Sequence, residues 1–181
     1  MLGGAQLQWL KQALARSLAT WKVMACDMPL GLIVPDGPAM QEGFANGDPR
    51  VLGREHEIAD LLSYVKAQRI RNLVFITADV HYAAAHEYHP ERATFTQFDP
   101  FWEFVAGPLH AGTFGPNRLD ATFGPAVKFA APATKPNRPP SEGLQYFGLF
   151  SADPKTRAAT VTLHRRDGQE IFRQVLASAE R

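Results

Sequence analysis

The stretch NLVFITADVHY, Asn72 to Tyr82, decides how the rest of the chain is read. From Asn72 to Thr77 it is an uninterrupted apolar run of the kind expected of a strand buried on both faces. Just upstream, Arg54 to Arg69 reads as a helix with Ile58, Leu61, Leu62 and Val65 on one face. Further upstream, Trp21 to Ala25 (WKVMA) reads as a short buried strand closed by Asp27 and Pro29. Strand, helix and strand in that order make a βαβ unit with parallel strands and a right-handed crossover. The chain is therefore of α/β class.

Outward from that unit the pattern loosens. Gln6 to Thr20 carries Leu7, Leu10, Leu14 and Leu18 at helical steps and predicts an amphipathic helix. Pro29 to Gly53 is dense in glycine and proline and predicts a long loop, of the length that in small domains tends to be functional. In the second half, Thr94–Phe98 and Trp102–Val105 read as short strands, whereas 108–124 and 130–143 read as irregular. Gln145–Phe150, Thr160–His164 and Glu170–Leu176 read as strands, the last two flanking Asp167-Gly168, a strong two-residue hairpin signal.

Composition narrows the function classes. The 181 residues are 45% hydrophobic, enough for a core, and carry 19 basic against 18 acidic side chains. That balance argues against a nucleic-acid or acidic-membrane binder held by charge. A single cysteine, Cys26, rules out an internal disulfide and any CxxC zinc spacing. No apolar run approaches the roughly 20 residues of a membrane span, and no signal-peptide pattern opens the sequence. No P-loop, dinucleotide fingerprint or Gly-x-Ser-x-Gly elbow occurs.

The chemistry concentrates where the two parallel strands end. Asp27 follows one and Asp79 the other, and the carboxyl ends of strands in open α/β sheets are where ligands bind. Asp79 and His81 are two apart, so an extended backbone would send both side chains to one side. A carboxylate beside an imidazole is a donor set suited to Zn, Fe, Mn or Ni. The same pair also serves as a turn cap or a solvated pair, and two ligands do not close a site: catalytic zinc takes about three from the protein. Asp27 reads either as a turn residue or as part of the pocket wall. His110, in GPLHAGTFGPN, reads either as a loop histidine or as a phosphate contact. His86 and His89 read as surface positions. Phe98, Phe101, Trp102 and Phe104 read as core.

Taken together, GGAQLQWLKQAL, SLATWKV, FITADVHYA, FWEFVAGPLHAGTFGPNRLDATFGP and PSEGLQYFGLF resemble, in family order, the C-terminal half of the PhoD-like metallophosphatases, the alkaline phosphatase D family of the calcineurin-like metallophosphoesterases. The resemblance implies the C-terminal half of an αββα sandwich, with a mixed sheet and a C-terminal β-hairpin. It implies that Asp79 and His81 are metal ligands and that His110 and Asp27 face the substrate. It implies a pair of metal ions, such as Fe and Ca, and hydrolysis of phosphate esters by a metal-activated water. Ala78 stands where many members have glycine. The family's other ligand motifs belong to an N-terminal half and are not found here; the one Gly-Asp, Gly47-Asp48, lies in a proline-flanked loop. Residues 1–181 are thus expected to be part of a phosphatase domain, completed by an N-terminal half. The other reading is an inactive fragment or interaction module that self-associates or pairs with another chain. Members are commonly exported.

Overall fold

The computed structural model describes residues 2–180, and its layers follow from which runs bury one face and which bury two. Helix α1, Gly3–Arg16, turns Leu7 and Leu14 inward, and strand β1, Lys22–Ala25, follows it. The glycine- and proline-rich stretch after β1 holds only two-residue strands, β2 (Leu32–Ile33), β3 (Pro35–Asp36) and β4 (Met40–Gln41). Helix α2, Glu55–Ala67, leads into β5, Leu73–Thr77. Then come β6 (Ala83–Tyr88), β7 (Phe101–Val105), β8 (Arg118–Leu119) and β9 (Pro125–Ala131). Strands β10 (Tyr146–Ala152), β11 (Ala159–Arg165) and β12 (Glu170–Leu176) close the chain.

The central sheet has the order β1-β5-β7-β6-β9. β1, β5 and β7 run parallel, while β6 is antiparallel to both β7 and β9, so the sheet is mixed. β1 and β5 are neighbours, as the βαβ reading requires. Phe75, Tyr88 and Phe101 face the helices, joining Leu7, Leu14, Leu61 and Leu62 in one core. The opposite face sends Val74, Ala85 and Phe104 against Ala159, Val161 and Leu176 of the three-stranded sheet β10-β11-β12. A strand covered on both faces has no polar face, which is why Leu73 to Phe75 read as an apolar run; Ile76, further along β5, is 37% exposed. Among the described residues no helix is long and apolar enough to cross a membrane.

Three expectations fail for local reasons. Thr94–Phe98 is not a strand. Thr94 and Phe95 donate instead to the carbonyls of Ala121 and Thr122, and Phe95 stacks parallel to Phe98 at 6.4 Å in the core. β9 was not legible because it is an edge strand of mostly half-exposed residues behind Gly124-Pro125. His86 is not at the surface: it is 1% exposed, opposite Glu103 of β7 and on the same face of β6 as buried Tyr88.

Candidate functional site

β1, β5 and β7 all end on the same side of the sheet, and the predicted residues gather there. Pairing of β5 stops at Thr77, whose carbonyl accepts from the amide of Ala106 just past β7. The next amide, of Ala78, donates to the carbonyl of Asp27 at 3.0 Å. The ends of β1 and β5 are thus tied one residue before Asp79. Val80 then donates back to the Ala78 carbonyl at 2.8 Å, closing a tight turn with Asp79 at its centre.

That turn overturns the geometry expected of an extended pair. Asp79 and His81 both have positive φ, 64° and 58°. Neither is glycine, so both occupy the left-handed region that side chains disfavour and that functional sites tolerate when neighbours enforce it. Side-chain direction here is set by the turn and not by strand alternation.

His81 is held from the arm that follows β7. Its Nδ1 lies 2.6 Å from the carbonyl oxygen of Gly112, and its ring lies 5.0 Å from that of Phe114. A carbonyl oxygen only accepts, so Nδ1 carries a proton, and in the neutral ring Nε2 then keeps its lone pair. The arm is itself anchored. Buried Thr113 donates its hydroxyl to the Lys135 carbonyl at 3.0 Å and accepts the Arg138 amide on the same oxygen at 3.1 Å. Asn117 donates its amide to the buried Tyr82 hydroxyl at 3.2 Å.

The structure therefore brings Asp79, His81 and the Asp27 backbone together. Asp79 and His81 are half-buried and Asp27 is exposed. His110 is exposed on the same arm, two residues before the carbonyl that holds His81. His89 does not join them; it caps a short 3-10 turn by accepting the Glu91 amide. Cys26, adjoining Asp27, has its thiol pushed up to about 11 by burial and by the negative charges of Glu103 and Asp27, which leaves it a poor nucleophile.

The donor types suit a metal, and the ring tautomer of His81 is the one a metal-ligating histidine adopts when its second nitrogen is held by a carbonyl. The number does not. Among the described residues no group of three or more His, Cys, Asp or Glu side chains is arranged to hold an ion. Sequence reasoning missed Glu103, 0% exposed below these strand ends. The signal was present: one acid inside the otherwise apolar FWEFV.

Among the curated proteins none matches this sequence. A solved structure of PhoD is similar over 99% of this chain, at 16% identity and a TM-score of 0.48, and the chain spans 36% of that structure's length. The model of the PhoD-like phosphatases matches residues 1–163, the greater part of the sequence and the whole of the strand-end site, and the chain belongs to that family.

Proposed function

We propose that this chain carries part of a metal-dependent phosphoester hydrolase site, with Asp79 and His81 as metal ligands and with Asp27 and His110 towards the substrate. Family membership supports a phosphatase-type function. The observation that carries the assignment is the 2.6 Å contact from His81 Nδ1 to the Gly112 carbonyl, which frees Nε2 as a donor beside the Asp79 turn. A metal bound there, Fe and Ca or a similar pair, would supply an acidified water and offset phosphoryl charge. The chain's own part is to fix the imidazole tautomer, hold Asp79 in its turn, and present His110 on the arm.

Residues beyond this chain complete the site in this reading, which makes 1–181 the C-terminal part of an αββα sandwich. Two observations support it. The described residues offer too few ligands. In addition, β1 is an edge strand of the central sheet, and Val23 (opposite Val74) and Ile76 (opposite Ala25), which share one face of β1 and β5, are 40% and 37% exposed. The same observations favour the second reading, a module that pairs with another chain or with itself without catalysis.

Equilibrium dialysis against Zn²⁺, Fe²⁺ and Ca²⁺ separates these. The isolated chain retains less than one equivalent; stoichiometric retention of two ions overturns the incomplete-site argument. When an N-terminal half restores hydrolysis of an aryl phosphate, Asp79→Ala and His81→Ala abolish it, and persistent turnover in either removes that residue from the metal centre. Stable pairing without turnover would favour the module.

A further inference from the structure

Glu103 is the most buried acid near the strand ends, and its bonds to Leu30 and Tyr88 both lead to one turn. It lies in β7 opposite Phe75 of β5 and His86 of β6. Its Oε1 accepts the amide of Leu30 at 2.7 Å. Its Oε2 accepts the Tyr88 hydroxyl at 2.8 Å and lies 3.1 Å from His86 Nδ1. The Tyr88 oxygen in turn accepts the amide of Gly31 at 2.8 Å. Glu103, His86, Tyr88 and Leu30 are each no more than 1% exposed. A carboxylate taken from water is tolerated only when its oxygens are this fully bonded.

The turn so gripped is the one that leaves β1. It begins at Asp27, whose carbonyl holds the amide of Ala78, the residue before Asp79. Gly31 is pressed against the same network: a Cβ there would stand 2.9 Å from Tyr88 Cε1 and 2.9 Å from Pro125 Cγ. No slack is left between the network and the turn.

We propose that Glu103 is a positioning residue, holding the turn from Asp27 to Gly31 so that the Asp27 carbonyl fixes Ala78 and, through it, the backbone of Asp79. The functional part of this rests on Asp79 being a metal ligand; the mechanical part does not. Three long-range links, from Glu103 to Leu30, from Tyr88 to Gly31 and from Ala78 to Asp27, then act as one clamp. Glu103 touches neither metal nor substrate in this role.

Amide hydrogen exchange on the whole chain tests the clamp, with Glu103→Leu, Glu103→Gln and Gly31→Ala compared against the unaltered protein. Exchange at Ala78 rises at least tenfold in Glu103→Leu and in Gly31→Ala, while Val161 and Leu163 in β11 keep their protection. Glu103→Gln, whose carbonyl oxygen still accepts from Leu30, gives a smaller rise. Unchanged exchange at Ala78 in a folded variant, or an equal rise throughout β11, overturns the proposal. Should Glu103→Leu fail to fold, Gly31→Ala makes the same comparison with Glu103 intact. Mn²⁺ broadening of the Asp79 and His81 resonances reads the ligand assignment separately. Its absence in the unaltered protein completed by an N-terminal half overturns that assignment alone. Its full retention in a variant with raised Ala78 exchange overturns the positioning role.

Discussion

Replacing Gly115 by alanine tests whether the arm that holds His81 is fitted to the body of the protein or merely lies on it. Gly115 has a φ of +79°, and a Cβ there would stand 2.4 Å from Tyr82 Cε1 and 2.5 Å from Cδ1. The ring cannot swing away, because Tyr82 is 2% exposed and its hydroxyl accepts the Asn117 amide. The left-handed backbone alone costs an alanine about 1–2 kcal/mol. Overpacking against a fixed ring adds about 1–3 kcal/mol. Gly168 is the internal control: its φ is +88°, yet nothing lies within 4 Å of its Cβ position, so Gly168→Ala carries the backbone cost only. For a chain of this size each kcal/mol moves the Tm by about 2–4 °C. Gly115→Ala should lower it by about 4–20 °C, and by more than the control does. As the arm lifts, the Gly112 carbonyl leaves His81, and the ring ¹⁵N shifts change from a fixed Nδ1–H tautomer towards a mixture. Urea unfolding and nitrogen NMR read both effects. Equal stability of the two variants together with unchanged His81 shifts would refute the reasoning.

Other outcomes follow from the core and from one buried acid. Phe98→Ala should cost about 3–5 kcal/mol in urea unfolding, because Phe98 is 1% exposed and packs against Phe95, Phe101 and Phe123; a loss below about 1 kcal/mol would contradict that packing. Glu55, 0% exposed at the start of α2, has its carboxyl raised from 4.5 to about 7 by burial, against the opposing amides of Leu52 and Asn46. The folded state therefore holds this proton more tightly than the unfolded chain, so its contribution to stability is full below pH 4.5 and is lost as pH rises through about 7. Glu57 and Glu87 are shifted the other way by their hydrogen-bond donors, and what they contribute is lost only as pH falls below the ordinary carboxylate range, a separate window. The urea midpoint should fall between pH 5 and 8, and Glu55→Gln should flatten that slope; a midpoint that rises across this interval would contradict the sign.

Much of the fold was legible because burial leaves a local imprint. The apolar run of β5, the leucines of α1 up to Leu14 and the Asp167-Gly168 turn were legible from neighbours in sequence, whereas Leu18, expected on the same stripe, lies past the end of α1 and is 82% exposed. β9 and the Phe95–Phe98 stretch were not legible. β9 owes its place to an edge position, and Thr94 and Phe95 owe theirs to carbonyls some 27 residues downstream, at Ala121 and Thr122.

Sequence by itself determined the parallel βαβ unit, the family, and the strand-end position of Asp27, Asp79 and His81, because residue types and short spacings mark where a strand ends and which polar groups follow it. Only the tertiary structure decided how those residues are held. The left-handed backbone at Asp79 and His81 arises where β5 has lost its pairing and is tied instead to the Asp27 carbonyl. The imidazole tautomer is set by a carbonyl 31 residues away, and the buried Glu103 is satisfied by an amide 73 residues away. A hydrogen bond over such separations exists only after the chain has packed, so no local pattern records it. Acidic and imidazole donors could therefore be named from the sequence, whereas their geometry belongs to the assembled sheet.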